Sequence, residues 1–103
     1  MNVQSGTLQQ SKLVNISSGS LEQNIPNPFK NNTIIAFSIP KSAKLASLVI
    51  TESSSGKIVK TIPLATTASQ LTIAAGTLTS GVYAYTLLVD GKKIDTKQMV
   101  IAR

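Results

Sequence analysis

The sequence contains no cysteine and no histidine among its 103 residues. Without cysteine there are no disulfide bonds, no thiolate metal ligands and no thiol nucleophile. Without histidine there is no imidazole for general base catalysis or for zinc binding. The side chains that most often catalyse reactions or bind metals are therefore absent, and we expect no catalytic residues, no metal site and no cofactor.

Acidic residues are also scarce. There are only four, Glu22, Glu52, Asp90 and Asp95. An enzyme built from them would need a coupled carboxylate pair, and Asp90 and Asp95, five positions apart across a predicted hairpin, are an unconvincing pair. We therefore expect a protein that is not an enzyme and has no small-molecule substrate.

Aromatic residues are limited to two tyrosines and two phenylalanines. Ten lysine and arginine residues against four acids give a net charge of +6, which could suit a nucleic acid. The cations are scattered, however, and few aromatic rings are available to stack on bases. We interpret the basic balance as a solvated surface and expect no nucleic-acid partner.

Long apolar runs are missing as well. No stretch approaches the roughly 20 apolar residues of a membrane span, and the start has no basic region followed by an apolar core. We expect neither a transmembrane helix nor a signal peptide. Residues 1–20 are rich in serine, glutamine, asparagine and glycine, which predicts a flexible linker from a parent protein. One domain is expected over 21–103.

The predicted domain reads as a series of short strands. Period-two alternation or β-branched runs predict strands over 33–40, 45–51, 57–62, 70–75, 82–89 and 92–102. Pro26 and Pro28 exclude a helix before the first of them. Six or seven short strands without a helical period favour an all-β fold, an antiparallel immunoglobulin-like β-sandwich.

Asp90 and Gly91 give the strongest local signal. Asp-Gly between two β-rich runs predicts a two-residue type I′ turn, which needs positive φ at both positions. The implied register pairs Val89 with Lys92, Leu87 with Ile94, Tyr85 with Thr96 and Tyr83 with Gln98. In that register the tyrosines share a core-facing surface with Leu87, Val89 and Ile94, and a core role is favoured over stacking on a sugar.

The same register creates a conflict further along the last strand. It would place three charged residues on the same face as Met99 and Ile101. Either a bulge after Thr96 turns these two apolar residues inward, or they stay outward as an apolar edge open to another chain. Of the two, we favour the bulge.

Five segments occur in a recognisable order. They are LEQNIPNPF at 21–29, TIIAFSIP at 33–40, SGKIVK at 55–60, LTSGVYAYTLLVDGKK at 78–93 and TKQMVIAR at 96–103. Together they resemble the type A C-terminal sorting domain of cargo proteins of the type IX secretion system of Bacteroidetes. That family stands at the extreme C-terminus of its parent proteins, and this sequence also stops at Arg103.

The resemblance implies a non-catalytic secretion signal. In that family a separate signal peptide brings the cargo into the periplasm, and the outer-membrane translocon and shuttle components then recognise the domain. A sortase-like peptidase removes the domain, and the cargo is released or joined to lipopolysaccharide at the cell surface. For this chain the resemblance implies transit through the periplasm, a final place at the surface or outside the cell, and a cleavage junction within residues 10–21.

The family's motif positions fall on particular residues of this chain. They are Asn27, Pro28 and Phe29 at the start, Gly81 and Tyr83 at a strand start, Asp90 and Gly91 at the hairpin, and Lys97 and Met99 near the terminus. The residues themselves also explain most of these positions as fold determinants. We therefore expect the machinery to read mainly the accessible final strand, 97–103 with Val100, Ile101 and Arg103, by strand addition.

Two matters stay open at this point. The chain is expected to be a monomer or a weak dimer through an edge strand. The alternative function is an immunoglobulin-like accessory module, carbohydrate-binding or adhesive, of an extracellular protein, and the fold alone does not separate it from a sorting domain.

Overall fold

The computed structural model describes residues 19–103, so most of the predicted linker lies outside the described residues. The described part contains seven strands and no helix: β1 Ser20–Leu21, β2 Asn32–Ser38, β3 Ala46–Glu52, β4 Ile58–Leu64, β5 Gln70–Ala74, β6 Gly81–Val89 and β7 Lys92–Ile101. It therefore offers no helix that is long and apolar enough to span a membrane. The predicted all-β class is confirmed, and each strand predicted from the pattern ends within two residues of its observed bounds.

The strands form two antiparallel sheets. The smaller has the order β1-β2-β5 and the larger the order β4-β3-β6-β7. Alternate residues of both sheets point into one shared core, such as Ile35 and Phe37 of β2 against Leu48 and Ile50 of β3. This is the layering of a sandwich, in which each sheet buries one face against the other. The sandwich is confirmed, and the immunoglobulin-like connectivity stays a prediction.

The β6–β7 hairpin has the predicted turn. Val89 pairs with Lys92 across a two-residue loop. Asp90 and Gly91 have φ values of 50° and 80°, as a type I′ turn requires. The register then shifts by one residue at Ile94. The favoured bulge is therefore present, but it lies before Thr96, so its predicted position is wrong.

This early bulge changes every pairing beyond it. The predicted partners Ile94, Thr96 and Gln98 are wrong, and the observed pairs are Leu87 with Asp95, Tyr85 with Lys97 and Tyr83 with Met99. The physical reason lies at the far end of β7, where Met99 and Ile101 are completely buried. Without the shift, the polar Gln98 would enter the core and two large apolar side chains would face solvent.

Residues 19–29, which we call the leading segment, pass from one sheet to the other. Ser20 and Leu21 pair with the end of β2, whereas Phe29 forms a parallel bridge with Ile101 of β7. The peptide bonds before Pro26 and Pro28 are both cis. Gly19 begins the segment with a φ of 104°, and a β-carbon there would lie 2.8 Å from the Ser38 carbonyl oxygen. Only glycine fits this approach.

Candidate functional site

The N-P-F motif and the last residues of the chain lie side by side. The Phe29 amide donates to the Val100 carbonyl at 3.0 Å, and the Ala102 amide donates to the Phe29 carbonyl at 2.9 Å. The Asn27 side-chain oxygen accepts the Val100 amide at 2.9 Å. We call these two segments, Asn27–Phe29 and Val100–Ala102, the terminal clasp. It joins two motif regions that stand at opposite ends of the domain sequence.

Buried apolar side chains beneath the clasp hold it in place. Phe29 is 3% exposed and Ile101 1% exposed, and Met99 is fully buried beside Tyr83. Gly81, at the start of β6, pairs with Ile101. The buried side chains of Phe29, Met99 and Ile101 hold the last strand in place. Removing any of them would leave a cavity in the core and lower the free energy of unfolding.

The end of the chain is tied down as well. The Arg103 amide donates to the Ser80 hydroxyl at 3.1 Å. The Arg103 guanidinium donates to the Gly76 carbonyl. Both partners lie between β5 and β6, so the terminus closes over that loop. Arg103 itself is exposed, as are Asn27 and Pro28.

A buried polar network supports the leading segment behind the clasp. Asn24 is 1% exposed. Its side-chain amide nitrogen donates to the Thr33 hydroxyl at 3.0 Å and to the Pro26 carbonyl at 3.1 Å. The Thr33 hydroxyl donates to the same carbonyl at 2.8 Å. Gln23 donates to the Asn24 side-chain oxygen at 2.7 Å. This satisfies the buried Asn24 side chain, and the sequence analysis had not singled out either Asn24 or Thr33.

Tyr85 connects this network to the core. Its hydroxyl donates to the backbone carbonyl of Glu22 at 2.7 Å and accepts a hydrogen bond from the backbone N–H of Asn24 at 2.8 Å. Burial raises the pKa of the Tyr85 phenol to about 12. Tyr83 is also buried, and its hydroxyl donates to the Thr79 carbonyl at 2.8 Å. The predicted core role of both tyrosines is confirmed.

The remaining motif positions lie away from the clasp. Asp90 and Gly91 stand at the opposite end of β6, about 30 Å away at the usual rise per residue. There the Asp90 carboxylate accepts the amides of Leu45 and Lys44, each at 2.9 Å. These bonds hold the pKa of Asp90 below its ordinary value. Lys97 lies between the two ends and forms an exposed ion pair with Asp95 at 3.5 Å.

The clasp changes what the final strand can offer to a partner. We expected an accessible ladder along that strand, and this is wrong over Val100–Ala102, because the leading segment already uses the outward backbone groups there. Gln98 is also engaged through its carbonyl, which accepts the Gln23 side chain at 2.6 Å. A partner that binds at the clasp would therefore contact side chains, because the outward backbone groups of Val100–Ala102 are already hydrogen-bonded to the leading segment.

The exposed side chains at and beside the clasp are few. Within residues 19–103 no group of three His, Cys, Asp or Glu side chains is placed to hold a metal ion. The clasp exposes the Asn27 amide and the Pro28 ring, and the exposed Arg103 guanidinium lies next to it. Groups of these kinds are able to form hydrogen bonds and apolar contacts.

Comparison with known families identifies the domain. Residues 24–102 match the family described as the secretion system C-terminal sorting domain. The chain belongs to this family. The resemblance to the sorting domain of type IX cargo is thereby confirmed, and the matched region contains both halves of the clasp. Among individually curated proteins, none matches the chain significantly.

Membership in the family assigns the chain a general role. A sorting domain acts as a C-terminal signal for secretion, interacts with the secretion system, and takes its parent protein to the cell surface or out of the cell. The family is typically non-catalytic.

Proposed function

We propose that this sorting domain directs its parent protein across the outer membrane through the type IX system by presenting the terminal clasp. Translocon and shuttle components recognise it in the periplasm, and a sortase-like peptidase then removes it. The observation that carries the proposal is the pairing of Asn27–Phe29 with Val100–Ala102, which builds one surface from the two ends of the motif set.

The clasp also makes recognition depend on folding. Asn27 and Val100 are 73 positions apart, so their hydrogen bond forms only when folding brings the two ends of the domain together. A receptor that reads the clasp therefore binds the folded domain in preference to an unfolded chain or a truncated one. Strand addition along Val100–Ala102 would first have to displace Phe29, so we assign recognition to the exposed Asn27, Pro28 and Arg103 side chains.

The proposed cleavage lies upstream of the first strand. Gly19 is buried against Ser38, and Ser20 is already paired in β1. Proteases cut accessible, extended backbone most readily. Within the expected junction at residues 10–21, the bonds before Gly19 therefore fit a peptidase better than those after it. Removal there would leave the folded sandwich intact.

The test is an export assay on the complete chain. Residues 1–103 are fused behind a signal peptide and a folded reporter in a host that has the type IX system, and the reporter at the cell surface is measured. Three changes are compared with the parent fusion: deletion of residues 97–103, the double variant Pro28→Glu with Arg103→Glu, and Lys92→Glu as a control at an exposed position beside the turn at the opposite end of β7.

We expect the deletion and the double variant to keep the reporter in the periplasm, and Lys92→Glu to be exported normally. Because the deletion removes the buried Met99 and Ile101, it also disturbs folding. Both residues of the double variant are exposed, but replacing Pro28 also frees its backbone, so its folded state, checked by circular dichroism on purified protein, is what separates recognition from folding. Normal export of the folded double variant would overturn the clasp assignment, and normal export of the deletion would overturn the function.

The accessory-module alternative gains no support from the described residues. All four aromatic side chains of the sequence, Phe29, Phe37, Tyr83 and Tyr85, are at most 5% exposed. Carbohydrate modules commonly use exposed aromatic rings, whose faces are apolar. Glycan binding by the purified chain would revive this alternative.

A further inference from the structure

The edge strands of the two sheets are protected very differently. β7 is covered by the leading segment at the clasp, and β4 carries Lys60, Pro63 and a bulge at Val59. Lysine, proline and bulges are common devices that stop an edge from pairing with another chain. β1 has only two residues. β5, Gln70–Ala74, has none of these protections and contains no charged residue.

The open side of β5 can be read from its pairing with β2. The Ala75 amide donates to the Asn31 carbonyl at 2.7 Å, and the Phe37 amide donates to the Ser69 carbonyl at 3.0 Å. Because paired and unpaired residues alternate in an antiparallel ladder, the amides and carbonyls of Gln70, Thr72 and Ala74 point away from β2. All three residues are exposed, and among residues 19–103 no strand is hydrogen-bonded to β5 on this outward side.

The charge pattern around this edge is unusual for a chain with a net charge of +6. Residues 61–89 contain no charged side chain at all. Cations stand beyond both ends of β5. Lys41 lines a groove of about 430 Å³ with Thr66 and Ser69 at one end, and the Arg103 guanidinium lies on the Gly76 carbonyl at the other. The edge is therefore a neutral ladder between two positive ends.

An apolar strip runs beside the ladder on the outer face of the small sheet. Ile34, which pairs with Thr72, is 45% exposed, and its neighbour Ile25 is 73% exposed. A strand added to β5 would place alternate side chains next to Thr72 and Ala74 and so extend this face. The side chains on the opposite face of the added strand would lie above the edge of the hydrophobic core.

We propose that the β5 edge binds an extended strand of a partner protein by β-augmentation, and that this strand has an uncharged, β-branched centre and acidic residues at both ends. Backbone hydrogen bonds to Gln70, Thr72 and Ala74 provide the pairing, and Lys41 and Arg103 select the acidic ends. A second copy of this chain fits less well, because an antiparallel β5–β5 pair brings Lys41 of one copy towards Arg103 of the other. The inference does not rest on the export proposal, since it concerns the backbone of a different edge strand, although the two proposals share the Arg103 side chain.

The binding test uses the purified full chain and two synthetic peptides. Both peptides have a centre of alternating valine and threonine; one has two glutamates at each end and the other two lysines. Affinity is measured by fluorescence titration, and the protection of the Thr72 amide by hydrogen exchange. We expect the acidic peptide to bind, to protect the Thr72 amide, and to bind at least about tenfold more tightly than the basic one.

Two substitutions locate the site. Thr72→Pro removes the outward N–H, which proline can do on the open side of an edge strand without breaking the sheet. We expect it to weaken binding of the acidic peptide about tenfold, because a backbone bond is lost and the ring obstructs pairing. Thr72→Val keeps the N–H and is expected to bind normally. Lys41→Glu is expected to weaken binding about two- to fivefold, as for an exposed ion pair.

Several results would overturn the proposal. It is wrong if neither peptide binds, if the basic peptide binds as well as the acidic one, or if folded Thr72→Pro binds like Thr72→Val. It is also wrong if the Thr72 amide is already protected in the free chain, which would mean that residues 1–18 or a second copy occupy the edge. Sedimentation at several concentrations separates these two occupants.

Discussion

The two ends of the β6–β7 hairpin are stabilised in opposite ways. At the turn, Asp90 and Gly91 adopt their conformation through local preference, and one carboxylate reaches the amides of Lys44 and Leu45. At the clasp, Phe29 and Ile101 are buried and paired across a long sequence separation. The turn therefore takes its conformation from its own two residues and stays exposed, whereas the clasp depends on burial in the core.

Because of this difference, substitutions at the two ends should change the free energy of unfolding by different amounts. Burial of a large apolar side chain is worth more than an exposed hydrogen bond. We therefore expect changes in the clasp to affect the free energy of unfolding strongly and changes at the turn to affect it weakly. On the proposed function, the same contrast would make recognition of the clasp depend on the folded core.

The largest effect is expected for Phe29→Ala. The ring is 3% exposed, and its loss leaves a cavity between the leading segment and β7. We expect the free energy of unfolding to fall by about 3–5 kcal/mol, measured by urea denaturation of the full chain. This is a large part of the total stability of an ordinary domain, about 5–15 kcal/mol, so Phe29→Leu is measured as well and should lose less.

The matched control is Ile25→Ala in the same segment. Ile25 is 73% exposed, and exposed substitutions usually change stability by no more than about 0.5 kcal/mol. If Phe29→Ala and Ile25→Ala have similar midpoints, the clasp is not anchored by burial and the contrast between the two ends fails.

A smaller loss is expected for Tyr85→Phe, which removes only the hydroxyl. The Glu22 carbonyl and the Asn24 amide would lose their partner, so we expect a loss of about 1–3 kcal/mol near neutral pH. Since burial raises the pKa of Tyr85 from 10.0 to about 12, its hydroxyl stabilises the fold below pH 10 and this stabilisation is lost as the pH rises towards 12.

The pH dependence provides the control within the same pair of proteins. Denaturation midpoints are compared at pH 8 and at steps up to pH 12, where lysine titration is common to both proteins. We expect the difference between parent and Tyr85→Phe to shrink over that range. A constant difference would show that the phenol does not lose its proton more readily in the unfolded chain.

The sequence predicted what depends on local pattern and failed where distant groups decide. Alternation located the strands, and Asp90-Gly91 located the turn, because both are properties of neighbouring residues. The bulge at Ile94 was misplaced because its position depends on whether Met99 and Ile101 find room in the core several residues later. Tyr85, Asn24 and Thr33 meet only in the folded chain, with Asn24 and Tyr85 61 positions apart, and no local signal marks them.

The family resemblance named the motif positions but did not reveal that two groups of them form the clasp. From the sequence, Asn27 and Phe29 belonged to a segment that cannot be helical, and Val100 and Ile101 to the last strand. Their parallel pairing follows from the passage of residues 19–29 between the two sheets, which depends on packing across the sandwich. Only the three-dimensional arrangement showed that the final strand is already covered.

The smallest of these stability effects is expected at the turn, for Asp90→Asn. Asparagine also tolerates positive φ and keeps a side-chain oxygen for the amides of Leu45 and Lys44, so the substitution removes mainly the charge. Because those amides hold the pKa of Asp90 below its ordinary 3.8, the carboxylate stabilises the fold above that pH and this stabilisation disappears as the pH falls through the lowered pKa of the folded state. The difference between the urea midpoints of the two proteins should therefore be smaller at pH 2 than at pH 7. If the difference is the same at both pH values, the turn is held by its backbone conformation alone and the carboxylate has no part in it.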